Sequence, residues 1–595
     1  MRKFYYLPLA LAALAMGSCS SDDATAEGGN GHDFNKGGYL KMAINLPSRT
    51  SNGAFKANDN FDDGLASEYA VNNAVLMLFK GADEANATFH SAYNLPTNTT
   101  TESPANNQVT ATMRIVERTN NSTKPGENEK LYAFVIVNNN GLVTVNETNN
   151  KASINGSDFT GKISDLQAMT IEGGVSKFST TGLLMTNAPL STVAGGGDTA
   201  PADYAVQTLA DVSSAIYSTE AEALAKPATD IYVERAVAKV TLTSNVNKLS
   251  GEDAGIKNKP ITVTGWSLTN TNTKSYLVRN TKTADAYLPY KSDYVTTGGY
   301  RFIGASPVKT GVSLYRTYWA QDPNYSSFVA NDLANPTDPS SYTFASTGDE
   351  NPLYCMENTF DVANQKKQST TQAVIRTAIG TADNQGHYST FYAINDDRTQ
   401  MYDADGRDAA VKKAILANAD VLAWVKANGN GATVGASNVA VTYGTKVAAT
   451  GVLPVTAFTV TIDANKKYEA SSTSHADALT AVNSAAVVYE YTDGVAYYPA
   501  LIKHFGDDLT PWNTTAHPAS VGDVYENNSE QKFLGRYGVL RNNWYSLNVT
   551  GIKALGSPVV PDVTTNTDTD DDLYNYISVS VNILSWAKRS QNVEL

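Results

Sequence analysis

The sequence contains few of the side chains that form metal centres, redox centres or nucleophilic sites. It has two cysteines, Cys19 and Cys355, and six histidines, none of them paired at metal-ligand spacing. The motifs HExxH, CxxC and GxSxG and the phosphate-binding and dinucleotide-binding glycine loops are absent. Cys355 has no base or second thiol nearby in YCMENTF, so we expect a structural thiol. We therefore expect no catalytic residue, no metal and no cofactor, and predict that the protein is not an enzyme.

Charged residues are also scarce, and basic runs are missing. Asp, Glu, Lys and Arg make up 17% of the chain, and the net charge is −14. Recognition of a phosphate backbone requires clustered Lys and Arg, so nucleic acid is excluded as a predicted partner. After the N-terminal leader, no segment offers about 20 continuous apolar residues, so the sequence predicts no membrane-spanning helix.

The residues that are abundant favour β-structure. The chain has 595 residues, 33 of them Tyr, together with many Val, Thr, Asn and Gly. Aromatic and β-branched side chains suit pleated sheets, and Asn and Gly suit the turns between strands. A chain of this length is too long for a single ordinary domain with one hydrophobic core. The composition therefore predicts an all-β protein with at least two domains.

The first 19 residues resemble a bacterial lipoprotein signal. MRKFYYLPLALAALAMGSC begins with Arg2 and Lys3, continues with an apolar stretch, and ends with small residues before Cys19. We expect Cys19 to carry an N-terminal lipid such as palmitate and to anchor the precursor in the outer membrane. The alternative is ordinary signal cleavage nearby. The acidic, glycine-rich SSDDATAEGGNGHD that follows is typical of a flexible tether.

A well-patterned strand follows this tether. In GYLKMAINLP, Leu40, Met42, Ile44 and Leu46 fall on one face, as in a half-buried strand. Pro47 ends the strand, and the polar loop after it is of the kind that proteases cut. The loop contains Arg49, the only arginine between Arg2 and Arg114.

Further apolar stretches predict strands along the chain. We expect them at 73–81, 130–141, 230–246, 261–271, 371–380 and 388–395. Asp493-Gly494 predicts a hairpin within 487–502. A helical pattern predicts an inserted helix from Asp408 to Asn428, and a second helix is expected near 203–226. We place a domain boundary at about residue 229.

The C-terminus offers a second strand with the same alternation. Ile577, Val579, Val581 and Ile583 alternate with Ser and Asn, behind a Pro-containing and then polar linker that begins at residue 561. Such a strand can complete the sheet of its own domain, or it can leave to join another subunit.

Three stretches resemble a known family. RYGVLRNNWYSLNVTGIKALGSPVVP, GVAYYPALIKHF and the terminal YISVSVNILSWAKRSQNVEL are similar to the C-terminal region of Bacteroidales type V pilins, in particular the Mfa-type major subunits (fimbrilins) of short fimbriae. The resemblance implies two transthyretin-like β-sandwich domains, an N-terminal propeptide strand and a C-terminal donor strand. It also implies a structural, adhesion-supporting subunit of a cell-surface fimbrium.

The resemblance further implies how the parts act. An arginine-specific, trypsin-like protease is expected to cut between Arg49 and Thr50, releasing the propeptide strand of Leu40, Met42, Ile44 and Leu46. The strand of Ile577, Val579, Val581 and Ile583 is then expected to insert into the next subunit. Copies of the chain would thereby assemble with one another and with anchor and tip subunits. The domains implied are 1–19, 20–49, 50–228, 229–560 and 561–595.

Other interpretations stay open. Arg49 can be an ordinary loop arginine in an uncleaved lipoprotein, with its strand a permanent member of the sheet. The protein can also be a monomeric surface lipoprotein that binds glycan or a host ligand, or a fimbrial tip or anchor subunit. A glycoside hydrolase would need two carboxylates held across a cleft, and the sequence singles out no such pair.

Overall fold

The structure is a computed structural model of the 595-residue chain. It describes residues 38–46, 65–68, 70–95, 108–115, 129–180, 182–192, 206–217, 219–281, 303–308, 311–317, 320–325, 333–334, 341–361, 364–504, 537–568 and 576–584.

The N-terminal unit is built mainly from strands. Its strands are β1 (Gly38–Asn45), β2 (Ala74–Gly81), β3 (Thr88–Asn94), β4 (Gln108–Ile115), β5 (Lys130–Val137), β6 (Val143–Asn146), β7 (Lys151–Ile154), β8 (Ser157–Phe159), β9 (Thr170–Glu172), β10 (Met185–Asn187), β11 (Leu190–Ser191), β12 (Val206–Gln207), β13 (Ala210–Asp211), β14 (Ile216–Tyr217) and β15 (Thr229–Arg235). Two short helices accompany them, α1 (Ile163–Ala168) and α2 (Glu220–Ala225).

One large sheet organises this unit. Its strand order is β14-β1-β15-β10-β5-β2-β3, with β4 paired to β1 and β13 paired to β5. The side chains of β2 and β5 are buried on both faces of the sheet: Leu76 and Val135 enter one core, whereas Met77 and Phe134 enter another. Since Leu40 of β1 shares the first core with Leu76, the sheet folds over itself and forms two packed layers.

The C-terminal unit is a second sandwich that carries an insertion. Its strands are β16 (Ala238–Ser244), β17 (Ile261–Thr269), β18 (Thr271–Asn272), β19 (Lys274–Tyr276), β20 (Ile303–Pro307), β21 (Tyr315–Thr317), β22 (Leu333–Ala334), β23 (Leu353–Cys355), β24 (Gln372–Ile379), β25 (Phe391–Ile394), β26 (Val439–Tyr443), β27 (Val455–Asp463), β28 (Lys466–Ser471), β29 (Val488–Tyr491), β30 (Val495–Leu501), β31 (Trp544–Ile552) and β32 (Ile577–Leu584). Its helices are α3 (Ala404–Ala417), α4 (Ala419–Asn428) and α5 (Ala476–Ala485).

Two sheets enclose the core of this second unit. One has the order β23-β16-β31-β32, and the other has the order β17-β24-β30. Leu242 and Leu547 of the first sheet share one apolar cluster with Trp266, Ile375 and Tyr498 of the second. The predicted fold class, all-β with two β-sandwich units and a helical insertion, is therefore confirmed.

The insertion between β25 and β29 has a core of its own. Helices α3, α4 and α5 pack on the three-stranded sheet β26-β27-β28, with Val411, Val421, Phe458 and Val482 in one cluster. The predicted helix over 408–428 is two helices, because Asn418 ends α3 and caps α4. The Asn418 side chain accepts hydrogen bonds from the N–H groups of Asp420 and Val421.

Three other expectations differ from the structure. β15 belongs to the first sheet, so that sheet extends to Arg235, beyond the boundary expected at residue 229. The predicted hairpin within 487–502 is wrong: the chain reverses at Asp493, but β29 pairs with β25 and β30 pairs with β24. Within the described part of 203–226, the α-helix is restricted to Glu220–Ala225.

The start of the C-terminal linker is docked on the second unit. Val560 and Val563 are buried, and the N–H groups of Lys367 and Gln368 donate to the carbonyl oxygens of Asp568 and Asn566. The linker therefore begins as ordered chain before it reaches β32.

Candidate functional site

The first strand supplies the centre of one core. The alternation of its sequence turns Leu40, Met42 and Ile44 to the inside, where each is at most 1% exposed. Leu46 follows at 9% and joins the same cluster, which also contains Leu76. At about 1.5 to 3 kcal/mol for each buried side chain, this face holds roughly 6 to 12 kcal/mol of apolar burial. The predicted strand is therefore present, and its predicted inner face is buried.

The backbone of β1 is paired on both edges. It runs antiparallel to β4 along its whole length, from Gly38 opposite Ile115 to Asn45 opposite Gln108. On the other edge it runs parallel to β15 from Met42 to Asn45 and antiparallel to β14 at Tyr39 and Leu40. Removal of β1 would therefore leave unpaired peptide groups on both flanking strands, next to an open apolar groove.

Two polar side chains of β1, Lys41 and Asn45, contact neighbouring elements. Lys41 Nζ donates to the carbonyl oxygens of Leu224 at 3.0 Å and Lys226 at 3.1 Å, at the C-terminal end of α2. A cation is favourable there, since the last carbonyls of a helix carry negative partial charge. Asn45 Nδ2 donates to Asp230 Oδ1 of β15 at 2.9 Å. These polar contacts add to the apolar burial of β1, and the apolar pattern of the sequence does not predict them.

The predicted donor strand lies elsewhere in the molecule. Among the strands that the structure describes, β32 pairs with β31 alone, at the edge of the second unit's first sheet, from Ile577 opposite Ile552 to Leu584 opposite Trp544. Ile577 is buried and Val579 is half-buried in the core of that unit. β1 and β32 thus belong to separate sheets, and in this chain β32 completes its own domain.

A contact with the insertion holds the beginning of β32. The Arg398 guanidinium lies 4.8 Å from the ring centre of Tyr576, and the N–H of Lys553 donates to the Tyr576 carbonyl at 2.9 Å. Tyr576 itself is 37% exposed. Tyr576, the residue before β32, is therefore held by a backbone hydrogen bond and an accessible cation–π contact, whereas Ile577 beside it is buried in the core.

Three of the predicted site residues lie outside the described residues. These are the lipidation residue Cys19 and the two residues of the processing position, Arg49 and Thr50. Their roles stay predictions.

A buried ion pair that the sequence did not reveal lies downstream of the processing position. Glu68 is 1% exposed and accepts from Lys239 Nζ at 2.9 Å and from Tyr354 Oη at 2.5 Å. Its carbonyl accepts from Arg235 Nε at 2.9 Å, and the Lys239 ammonium lies 3.7 Å from the Trp544 ring centre. Glu68 therefore fastens the chain before β2 to two strands of the second unit.

A second buried network joins the two units through arginines. Arg541, in the RNNW stretch, pairs with Glu357 at 3.2 Å and donates to Ser275 Oγ at 3.0 Å. Arg279 pairs with Glu234 at 2.7 Å, and burial raises the pKa of the Glu234 carboxyl. Arg279 also donates to the carbonyl oxygens of Thr317 and Arg541, so the network connects β15 with the second unit.

The remaining buried titratable groups form no reactive centre among the residues the structure describes. Burial raises the pKa of the Cys355 thiol to about 12, as expected for a structural cysteine. Burial also raises the pKa of Asp322 to about 7, while its carboxylate accepts from the N–H groups of Thr359 and Asn324. Within the described ranges, no three His, Cys, Asp or Glu side chains are grouped as metal ligands, and no helix has the length and apolarity needed to cross a bilayer.

The C-terminal part of the chain matches a family model. Residues 489–592 match the model described as major fimbrial subunit protein type IV, fimbrillin, C-terminal. The matched segment contains β30, β31 and β32. The predicted resemblance to fimbrilins is therefore confirmed over these residues. The family is described by a structural role and not by a reaction, as the sequence predicts.

Similar solved structures include fimbrial proteins of the Bacteroidales. A fimbrilin from Porphyromonas gingivalis W83 has 9% identity and a TM-score of 0.34, covering 93% of this chain and 99% of that chain. The tip fimbrial protein Mfa3 from Porphyromonas gingivalis has 10% identity and a TM-score of 0.27, covering 92% and 99%. A fimbrial assembly protein from Parabacteroides distasonis ATCC 8503 has 12% identity and a TM-score of 0.25, covering 60% and 90%. Similarities this distant do not establish a function. No curated protein sequence matches the chain.

Proposed function

We propose, from the fimbrillin match over residues 489–592, that the chain is the precursor of a structural subunit of a cell-surface fimbria. The subunit polymerises by protease-activated strand exchange and supports adhesion. The observation that carries this proposal is β1, a short strand that fills the centre of a core and lies between the predicted lipoprotein signal and the predicted processing position.

The first step is cleavage between Arg49 and Thr50 by an arginine-specific, trypsin-like protease. Cutting there separates residues 1–49 from the rest of the chain, and these residues include both Cys19 and β1. Loss of the lipid-bearing Cys19 releases the subunit from the outer membrane. Loss of β1 opens the groove between β4 and β15.

The second step is occupation of the groove by β32 of another subunit. Among the described residues β32 pairs along one edge, with β31, whereas the groove offers partners on both edges and four apolar sites that are at most 9% exposed. Transfer therefore gives the strand backbone hydrogen bonds on a second edge and apolar sites of matching period. Because the donor and the acceptor are different surfaces, the contact repeats head to tail and produces a filament.

Other components follow from the same scheme. The precursor sits in the outer membrane through the lipid on Cys19 and needs no other cofactor. Its partners are further copies of itself, the processing protease, and the anchor and tip subunits at the two ends of the fimbria.

Processing can be tested on the unlipidated chain that begins at residue 20. Treatment with an arginine-specific protease should give a new N-terminus at Thr50 and, after incubation, a heat-resistant ladder on mild denaturing gels. Arg49→Lys keeps the charge but removes the cleavage site, so it should give neither product. A chain cut at Thr50 that stays monomeric would refute strand exchange, and resistance of Arg49 to cleavage would refute the processing step.

One observation favours a second candidate, a monomeric surface lipoprotein that binds glycan or a host ligand. β32 completes the sheet of its own domain, as a permanent strand would. In that case protein sheared from cells would begin at lipidated Cys19 and migrate as a single band.

A further inference from the structure

We propose that the incoming strand lies in the groove in the same direction as β1, with Ile577, Val579, Val581 and Ile583 at the positions of Leu40, Met42, Ile44 and Leu46. The occupant is a second copy of this chain. This inference rests on the proposed function and adds the register and orientation of the exchanged strand.

The apolar pattern determines the register. A shift by one residue would turn all four of these side chains out of the groove and place Ser578 and Ser580 inside it. A shift by two residues in one direction places Asn575 at the fully buried position of Leu40, and in the other direction it places Ser585 at the position of Leu46. Burying an amide or hydroxyl without a partner is unfavourable, so the four-residue match is the register that keeps polar side chains out of the sites of Leu40, Met42, Ile44 and Leu46. Ser580 then takes the buried position of Ala43, on the other face of the strand.

The backbone indicates the orientation. β1 makes eight antiparallel residue pairs with β4 and four parallel pairs with β15. A strand that enters in the direction of β1 keeps the longer edge antiparallel, whereas a reversed strand would make that edge parallel. Antiparallel pairing is slightly more stable per residue, so the longer edge favours the direction of β1.

The polar contacts of β1 support the same orientation. In this direction Asn582 takes the place of Asn45, whose amide donates to Asp230 at 2.9 Å, so an identical side chain meets the same carboxylate. In the reversed direction Ser578 would stand there, and Asn582 would replace Lys41. The contacts of Lys41 with Leu224 and Lys226 are not reproduced in the proposed orientation, because Ser578 occupies that position.

This gap predicts a substitution that strengthens the polymer. Ser578→Lys places an ammonium where Lys41 stood, next to the end of α2, and should slow polymer dissociation about three- to tenfold. Ser578→Met is the matched control: its side chain is of similar length but carries no charge, so it should leave the dissociation rate nearly unchanged. Equal dissociation rates for Ser578→Lys and Ser578→Met would overturn the placement of residue 578 beside the end of α2.

Cysteine pairs test the register directly, in chains that carry Cys355→Ala and are cut at Thr50. Thr112 lies opposite Lys41 and Gln108 lies opposite Asn45 across the β1–β4 edge. Ser578→Cys with Thr112→Cys should form disulfides between subunits, since directly opposite residues bring their Cβ atoms within disulfide range. Ser578→Cys with Gln108→Cys should not, and a cross-link there would show the reversed strand. Polymers in which neither pair cross-links would overturn the register.

A third pair separates this inference from the proposed function. Ser580 lies opposite Asn548 in the chain's own sheet. If Ser580→Cys and Asn548→Cys cross-link within one chain after cleavage, and no polymer forms, strand exchange itself fails. If polymers form and this pair stays reduced, exchange takes place, and the pairs on β4 then decide the orientation.

Discussion

Leu40→Ala should affect the precursor and the polymer differently. Leu40 is fully buried, and its strand is held on both edges by β4 and β14, so the site cannot easily collapse around a smaller side chain. Leu-to-Ala substitutions in such cores lower the free energy of unfolding by about 2 to 5 kcal/mol, and the two-sided pairing puts this site in the upper half of that range. In the cleaved polymer, residue 40 is no longer present, so the substitution should have no effect.

Ile577→Ala is the complementary control, with the opposite effects expected in the precursor and in the polymer. In the precursor, Ile577 belongs to the core of the second unit, so its truncation should leave the groove around β1 unchanged. In the polymer, Ile577 takes the position of Leu40, so its truncation should weaken the contact between subunits. The two variants thus separate the stability of the precursor, in which β1 fills the groove, from the stability of the polymer.

Hydrogen exchange measured by mass spectrometry resolves both effects. Peptides that cover β1 and β15 report the opening free energy of the groove alone, which a two-unit chain does not give in a global unfolding experiment. Leu40→Ala should raise exchange there by at least a hundredfold in the precursor, since each 1.4 kcal/mol corresponds to a factor of ten. A change below about threefold, or an equal loss in the cleaved polymer, would refute the assignment of β1 as a removable core strand.

Three further predictions concern the buried charges and the insertion. Glu68→Gln should destabilise the junction between the units by about 3 to 5 kcal/mol, because it leaves Lys239 buried without its counter-ion, and adding Lys239→Met should recover much of the loss in a double-mutant cycle. Burial raises the pKa of Glu84 from its usual 4.5 to about 7, so its contribution to stability should fall as pH rises between these values. Glu84→Gln should remove this part of the pH dependence, up to about 3 kcal/mol, in denaturation measured from pH 4 to 8. Asn418→Ala removes the cap of α4 and should lower insertion stability by about 1 kcal/mol in calorimetry, whereas an unchanged transition would show that the cap is dispensable.

Local pattern was enough to find the strands that bury one face. β1 shows why, since its alternation reflects a half-buried surface and identifies Leu40, Met42, Ile44 and Leu46 as the apolar side. The apolar run at 230–246 also predicts strand, but it contains β15 and β16, which belong to different sheets. The pattern does not show which sheet a strand joins, so the sequence places the boundary before β15 although β15 pairs within the first sheet.

The hairpin within 487–502 failed for a related reason. Asp493 and Gly494 do adopt the left-handed conformations of a tight turn, at φ values of 51° and 69°. The arms on either side nevertheless find better partners in β25 and β24. Turn chemistry specifies a local reversal, and tertiary packing decides whether the two arms pair.

The buried ions could not be found from sequence, because their partners are distant in the chain. Glu68 and Lys239 are separated by 171 residues, and Glu357 and Arg541 by 184. Each of these side chains looks like an ordinary surface charge in its local context. Arg541 lies in one of the stretches that resemble the fimbrilins, but the resemblance does not identify its buried partner.

The most direct test is the intact mass and N-terminal sequence of the protein sheared from the surface of the cells that make it. The account predicts a chain that begins at Thr50, without lipid and without β1, migrating as a ladder under mild denaturing conditions. A chain that begins at lipidated Cys19 and migrates as one band would mean that β1 stays in its core, and would contradict the proposal that its removal drives assembly.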